Sequence, residues 1–353
     1  MPFAKSLFVV ALLFLLSGTV FASDAVVASM RRIEARPDFQ FRVVLDFDAE
    51  ADGRVSLENA YYLSAYQVTN RQYAEFVDAT GRKTPRYWKN GAYPTGKADH
   101  PVVEVSYDDA VAYCAWLSEQ TPGWTFRLPT EAEWENAAAG EFYDDFSVQY
   151  PNGPQAPRYD ADSGELVSSF NFNGVITAKL FRERGADAVV RYVKGPFAGT
   201  SETLGECVSL NANGGVSNWA SHGRAANRGA FLQTDLFAEI SADGGQTSAV
   251  GAYPPNSLGL YDMAGNAWDL TSSEIIATNG LERGVLCYAI RGGSWYATAR
   301  SCAFSYRGEG RKNFPSSTVG FRVAADAPDA PDAPDAPDAP AAPDAPDAPD
   351  ASR

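Results

Sequence analysis

Two groups of residues in this chain have the types and spacing for chemistry. One is the turn Asp262-Met-Ala-Gly265-Asn-Ala267-Trp-Asp269, which offers two carboxylates with backbone carbonyls between them. Calcium takes six to eight oxygen ligands of just these kinds. The other group is the cysteines, Cys114, Cys207, Cys287 and Cys302. Thiolates suit soft ions such as copper(I). Four cysteines also allow three full pairings if the chain is exported to an oxidising compartment. Cys114 falls on the apolar face of an expected helix and reads as a small core residue. His100 and His222 are the only histidines. That excludes a His-rich metal site and gives no support to a hydrolytic triad. His222 sits in Asn- and Gly-rich sequence with no nucleophile motif around it and reads as a surface histidine.

The elements that must hold these groups can be read from periodicity and caps. Residues 41–47 and 60–68 read as strands, rich in aromatic and β-branched types. Thr69 or Asn70 caps a helix with Tyr73, Phe76 and Val77 on its apolar face, and Gly81 ends it. Ser106 to Asp109 is a capping-box pattern opening a second helix, with Ala110, Cys114 and Leu117 inward. Residues 125–129 are extended. Thr130 with Glu133 starts a third helix that buries Trp134, Ala137 and Ala138. From Gly140 to about Ser248 the pattern dissolves, although residues 179–194 could hold an element of their own. Short strands return at Leu258–Met263, Val285–Ile290 and Val319–Ala324. Helices early and short strands late predict an α+β fold with much irregular structure.

The ends differ from the body. Lys5, the apolar run Leu7 to Leu16 and Val20-Phe21-Ala22 form a signal-peptide pattern, with cleavage expected after Ala22 and export as the consequence. No further segment is apolar enough to span a bilayer. Residues 325–353 are nearly pure Asp-Ala-Pro repeat, with eight Asp against Arg353. Proline at every third position and the lack of bulky apolar groups predict an extended, solvated tail. The net charge of −15 is therefore nearly half tail. The acidity of the whole excludes nucleic acid as a partner.

Four blocks occur together and in order. They are Val68-Thr-Asn-Arg-Gln-Tyr-Ala-Glu-Phe-Val77; His100-Pro-Val-Val-Glu-Val-Ser106 with Arg127-Leu-Pro-Thr-Glu-Ala-Glu-Trp-Glu135; Asn256 through Asp269; and Arg291-Gly-Gly-Ser-Trp295 with Gly320-Phe-Arg322. Over about residues 57–324 this sequence resembles the formylglycine-generating-enzyme, or sulfatase-modifying-factor, domain. The resemblance implies one large C-type-lectin-like domain with a lead-in at 23–56 and a long insertion at about 175–242. It implies structural calcium at the positions matching Asp262, Gly265, Ala267 and Asp269, and a second site at Asn171, Phe172 and Asp243. Oxidase members convert a target cysteine to formylglycine with copper and two cysteines, three and eight residues after the serine of Gly-Gly-Ser. From Ser294 those positions are Ala297 and Cys302, so the pair is incomplete and copper is not expected. The iron-dependent, sulfur-joining branch needs a three-His site that two histidines cannot supply.

A binding role is the reading that remains, with an unknown protein or small ligand as partner. Tyr, Ser, Gly and Arg are favoured in recognition loops. The segment 295–315 is rich in them: Tyr296, Thr298, Arg300, Ser301, Phe304, Tyr306, Arg307, Glu309 and Arg311 are the candidate ligand contacts. Arg307 and Arg322 have ion pairing inside the fold as an alternative role. The same stretch also resembles the variable region of retroelement-diversified receptors, which share this fold. The remaining alternative is an oxidase with altered metal chemistry using Cys302.

Overall fold

In the computed structural model the described residues are 22–44, 50–145, 148–151, 153, 158–159, 166–172, 242–277, 283–297, 299–313 and 315–326. The expected signal segment, the 175–242 insertion, the 179–194 element, Cys207, His222, Thr298 and the repeats beyond Asp326 lie outside them.

Three helices begin where the caps predict. α2 (Asn70–Thr80), α3 (Tyr107–Gln120) and α4 (Glu131–Ala139) follow Thr69, Ser106 and Thr130, and each cap closes a reciprocal box with Gln72, Asp109 or Glu133. The box satisfies N–H groups that a first turn leaves without partners. α2 stops at Gly81, which has a φ of +68°, a conformation that disfavours a Cβ. Tyr73 of α2 and Tyr113 of α3 stack at 5.9 Å, and Phe321 meets Tyr113 edge-on at 5.4 Å. These rings centre the largest core cluster, which also takes in Cys114.

α4 buries more than its periodicity predicts. All nine of its residues are buried, Glu131, Glu133 and Glu135 included. Glu131 and Glu135 meet arginines from distant segments, and Glu133 meets nearby Arg127.

The lead-in is not all strand. It begins within α1 (Ala22–Ser29), a helix that also takes in Ala22 of the expected signal segment and buries Val26 in the main core. β1 (Met30–Ile33), β4 (Tyr61–Ser64), β5 (Phe126–Arg127) and β12 (Ala324–Asp326) make a sheet in the order β1-β4-β12-β5. The strand expected over 60–68 shortens to β4, because Val68 leaves the sheet to bond Phe321 and Val102. β12 ends at Asp326, which pairs with Arg127 at 2.7 Å. β2 (Arg36–Val44) and β3 (Glu50–Leu57) form an antiparallel arm. Its Phe39 and Leu57 pack on Ala132 of α4.

The second sheet orders as β10-β9-β8-β11, from β8 (Trp268–Ile276), β9 (Leu286–Arg291), β10 (Arg307–Gly310) and β11 (Val319–Gly320). β9 is the strand expected at 285–290. β8 was not legible, because its middle is Thr-Ser-Ser-Glu. The strand expected at 258–263 is a turn instead, with Asp262 at a φ of +53°. The one expected at 319–324 splits between the two sheets. β6 (Arg158–Tyr159) and β7 (Leu166–Val167) pair in the irregular region. Among the described residues no helix is long and apolar enough to cross a membrane. The architecture is the α+β, single-domain arrangement that the sequence predicts.

Candidate functional site

The Gly-Gly-Ser motif sits directly over Cys302. Gly293 has a φ of +77°, and a Cβ there would come within 2.5 Å of the Cys302 Sγ. Gly292 likewise leaves room for the Trp134 ring. Cys302 is fully buried with Tyr150, Phe170, Phe172, Ala299, Ala303 and Tyr306, and half-buried Ala297 packs against the same cluster. Ala297 thus lies against the same packed cluster as Cys302. Burial pushes the Cys302 thiol well above the usual range, although backbone hydrogen bonds from Ser294 and Gly265 pull the other way. With no metal ion beside it, such burial favours the protonated thiol over the thiolate. Cys114 behaves alike: burial raises it to about 12. No disulfide joins Cys114, Cys287 and Cys302 to one another.

The segment 295–315 is more structural than its composition suggests. Phe304 has no exposed surface and packs with Trp134 and Leu63. Tyr306 is buried beside Phe170 in the Cys302 cluster. Arg307 donates from Nε to Glu131 Oε1 at 2.6 Å and from Nη2 to Oε2. These three expected ligand contacts are corrected to fold contacts, because each spends its side chain inside the domain. Arg300 and Arg311 are exposed, and Tyr296, Ser301 and Glu309 are half-buried. Arg300 and Arg311 are thus the most exposed of the candidate set, while the Tyr296 hydroxyl is buried.

The sequence reading missed the centre of this region, Arg291. Its guanidinium is fully buried and ion-pairs with Glu131 at 3.1 Å and with Glu135. It also donates to the Ser305 and Phe304 carbonyls, at 3.2 and 2.7 Å. The available signal was the Glu131/Glu135 spacing of four, which puts both carboxylates on one face of α4.

The calcium expectation meets a different geometry. Asp269 is buried, and its oxygens already receive three donors. Gln67 Nε2 reaches Oδ1 at 2.9 Å, while Trp134 Nε1 and Arg322 Nε reach Oδ2 at 2.8 and 2.7 Å. The Gln67 amide also takes the Ala267 carbonyl at 2.6 Å. Asp262 Oδ2 accepts from the Gly251 N–H at 2.8 Å, and burial raises this carboxyl to about 6. Gly265 is needed for a close approach: any Cβ on it would strike the Asn171 carbonyl. The four residues come together, but as arranged they do not fit a calcium ion through Asp269. At the second expected site Asn171 Oδ1 is buried without a hydrogen-bond partner, which would suit a cation. Asp243, however, turns outward to Lys89 at 2.8 Å. Among the described residues no group of three or more His, Cys, Asp or Glu could hold a metal ion.

His100 is half-buried, with Nδ1 3.0 Å from Thr247 Oγ1, and Lys97 Nζ donates to that same hydroxyl at 3.1 Å. Burial first and the Lys97 charge second lower this imidazole to about 4.

The glycine motif packed on buried Cys302, the 262–269 turn and the two sheets accompany a family assignment that the sequence comparison makes. The chain belongs to the family described as sulfatase-modifying factor enzyme 1-like domain, whose model matches residues 27–179 and 211–327. Among curated relatives it is 26% identical over 334 residues to the formylglycine-generating enzyme of Bos taurus, covering 79% of this chain and 69% of that one. It is 28% identical over 251 residues to the inactive C-alpha-formylglycine-generating enzyme 2 of Bos taurus, covering 68% of this chain and 56% of that one. Among solved structures it is similar to PvdO from Pseudomonas aeruginosa, at 21% identity and a TM-score of 0.48 over 84% of this chain and 94% of that one. Treponema denticola variable protein 1 also matches, at 20% identity and a TM-score of 0.48 over 84% of this chain and 95% of that one.

Proposed function

We propose that this chain is an exported, non-catalytic member of its family that binds a protein or small-molecule partner. The observation that supports this reading is Ala297, at the position expected for the other cysteine, packed against the cluster in which Cys302 is the one cysteine among the described residues. Cys302 alone does not supply the two thiolates that copper(I) takes in the oxidases. The family's inactive bovine member makes a non-oxidising role a familiar one for such a domain. Arg300 and Arg311, with Tyr296, Ser301 and Glu309 beside them, are the proposed partner-facing residues. Export rests on the apolar, signal-like N-terminus. A finer version of the reading is a diversified receptor, for which the neighbouring DNA should carry a reverse transcriptase and a template copy of residues ~291–322.

The test is incubation with copper and a Cys-x-Pro-x-Arg peptide, followed by mass spectrometry. The expected result is an unmodified peptide. Conversion to formylglycine that disappears in Cys302→Ser would replace the binding reading with the oxidase one.

A further inference from the structure

We infer that the cation at the centre of the 262–269 turn is the guanidinium of Arg322 and not a metal ion. Arg322 is fully buried. Its Nε donates to Asp269 Oδ2 at 2.7 Å. Nη1 donates to the Ser64 and Ala65 carbonyls at 3.1 and 3.3 Å. Nη2 donates to the Tyr261 and Asp262 carbonyls at 2.9 and 3.3 Å. One carboxylate and four carbonyls thus surround a single positive charge, the kind of oxygen shell that a hard cation takes. A planar fork delivers five such bonds from one side chain, which an ammonium cannot do.

Asp269 and the Ala267 carbonyl also accept from neutral nitrogens. The Gln67 amide lies between the Ala267 carbonyl and Asp269 Oδ1, two of the expected metal ligands. Trp134 closes the other side of the carboxylate. A calcium ion here would have to displace the Gln67 amide and sit beside a buried guanidinium. In an interior of low effective dielectric that like-charge contact is costly. Arg322 instead ties the end of β4, the 261–262 turn and the segment between β11 and β12 together without an exchangeable ligand. The knot is therefore expected to be insensitive to calcium.

The test uses the purified full chain. Metal content is measured after dialysis, and thermal unfolding is followed in EDTA and in millimolar calcium. The expected result is no stoichiometric calcium and the same Tm in both. Arg322→Lys keeps the charge but loses the fork, so its Tm should fall by several degrees without any rescue by calcium. If that variant does not fold, the wild-type metal content and Tm decide alone. Stoichiometric calcium with a chelator-induced fall in Tm would overturn the inference if both persist in Asn171→Ala. If Asn171→Ala abolishes both, the ion sits at Asn171 and the assignment of Arg322 stands. None of these readouts depends on whether the Cys302 pocket is catalytic, so failure here is distinct from failure of the binding role.

Discussion

Arg307 and Glu131 are 176 residues apart in sequence and meet at 2.6 Å, Nε to Oε1. The pair fastens the middle of the 295–315 segment to the first turn of α4, where Glu131 also serves fully buried Arg291. The segment proposed to face a partner is thereby tied down at its base, as a rigid scaffold holds its exposed loops.

Arg307→Ala removes one of the two cations on a buried carboxylate. Breaking a buried pair on one side typically costs about 3–5 kcal/mol. Partial exposure of Arg307 and the remaining Arg291 should keep the loss at or below the low end of that range. Urea unfolding of the variant measures it. Arg311→Ala, in the same segment but exposed, should leave stability within about 0.5 kcal/mol. Equal losses in the two variants would refute this division of the segment.

Ala297→Cys should give the pocket the second thiol that it lacks. The prediction is that the variant acquires a copper(I) site, measured by competition with a colorimetric chelator, while the wild-type chain shows none. Copper binding by the wild type at the same affinity would mean that Ala297 is not the missing ligand.

His100 makes stability pH-dependent. Its folded pKa of about 4 lies below the ordinary 6.5, so between these values the unfolded chain binds more protons than the folded one. Stability then rises with pH through this window and falls as the solution is acidified below about 6.5. His100→Gln should flatten that part of the curve, read as Tm between pH 4.5 and 7 relative to wild type. An unchanged slope would show that the acid sensitivity arises elsewhere.

Thr130→Ala tests whether α4 needs its cap when every residue of the helix is already buried. The Thr130 hydroxyl meets the Glu133 N–H at 3.2 Å, and Glu133 returns to the Thr130 N–H at 2.8 Å. Loss of such a cap costs about 1 kcal/mol. A larger fall would mean that Glu133, which also holds Arg127 at 2.7 Å, is misplaced with it.

Much of the scaffold was legible because it is written locally. Thr69, Ser106 and Thr130 cap helices through bonds that reach only three residues along the chain. β8 was hidden by its polar middle, and α1 by its position just after a signal-like segment. The candidate site was legible as a neighbourhood and not as a set of roles. Composition alone could not tell exposed Arg311 from Arg307 bound to Glu131.

By itself the sequence determined the α+β class, the helix starts, the family's ordered motifs and the single cysteine of the thiol pocket. These depend on residue type and short spacing. Only the tertiary structure decided which charges belong to the interior. A buried arginine and a solvated one read alike along the chain. The difference is made by partners such as Glu131, Glu135 and Asp269, which the fold brings from 53 to 176 residues away. Desolvation makes each of those meetings obligatory, because a guanidinium buried without its carboxylate would cost more than the fold can sustain.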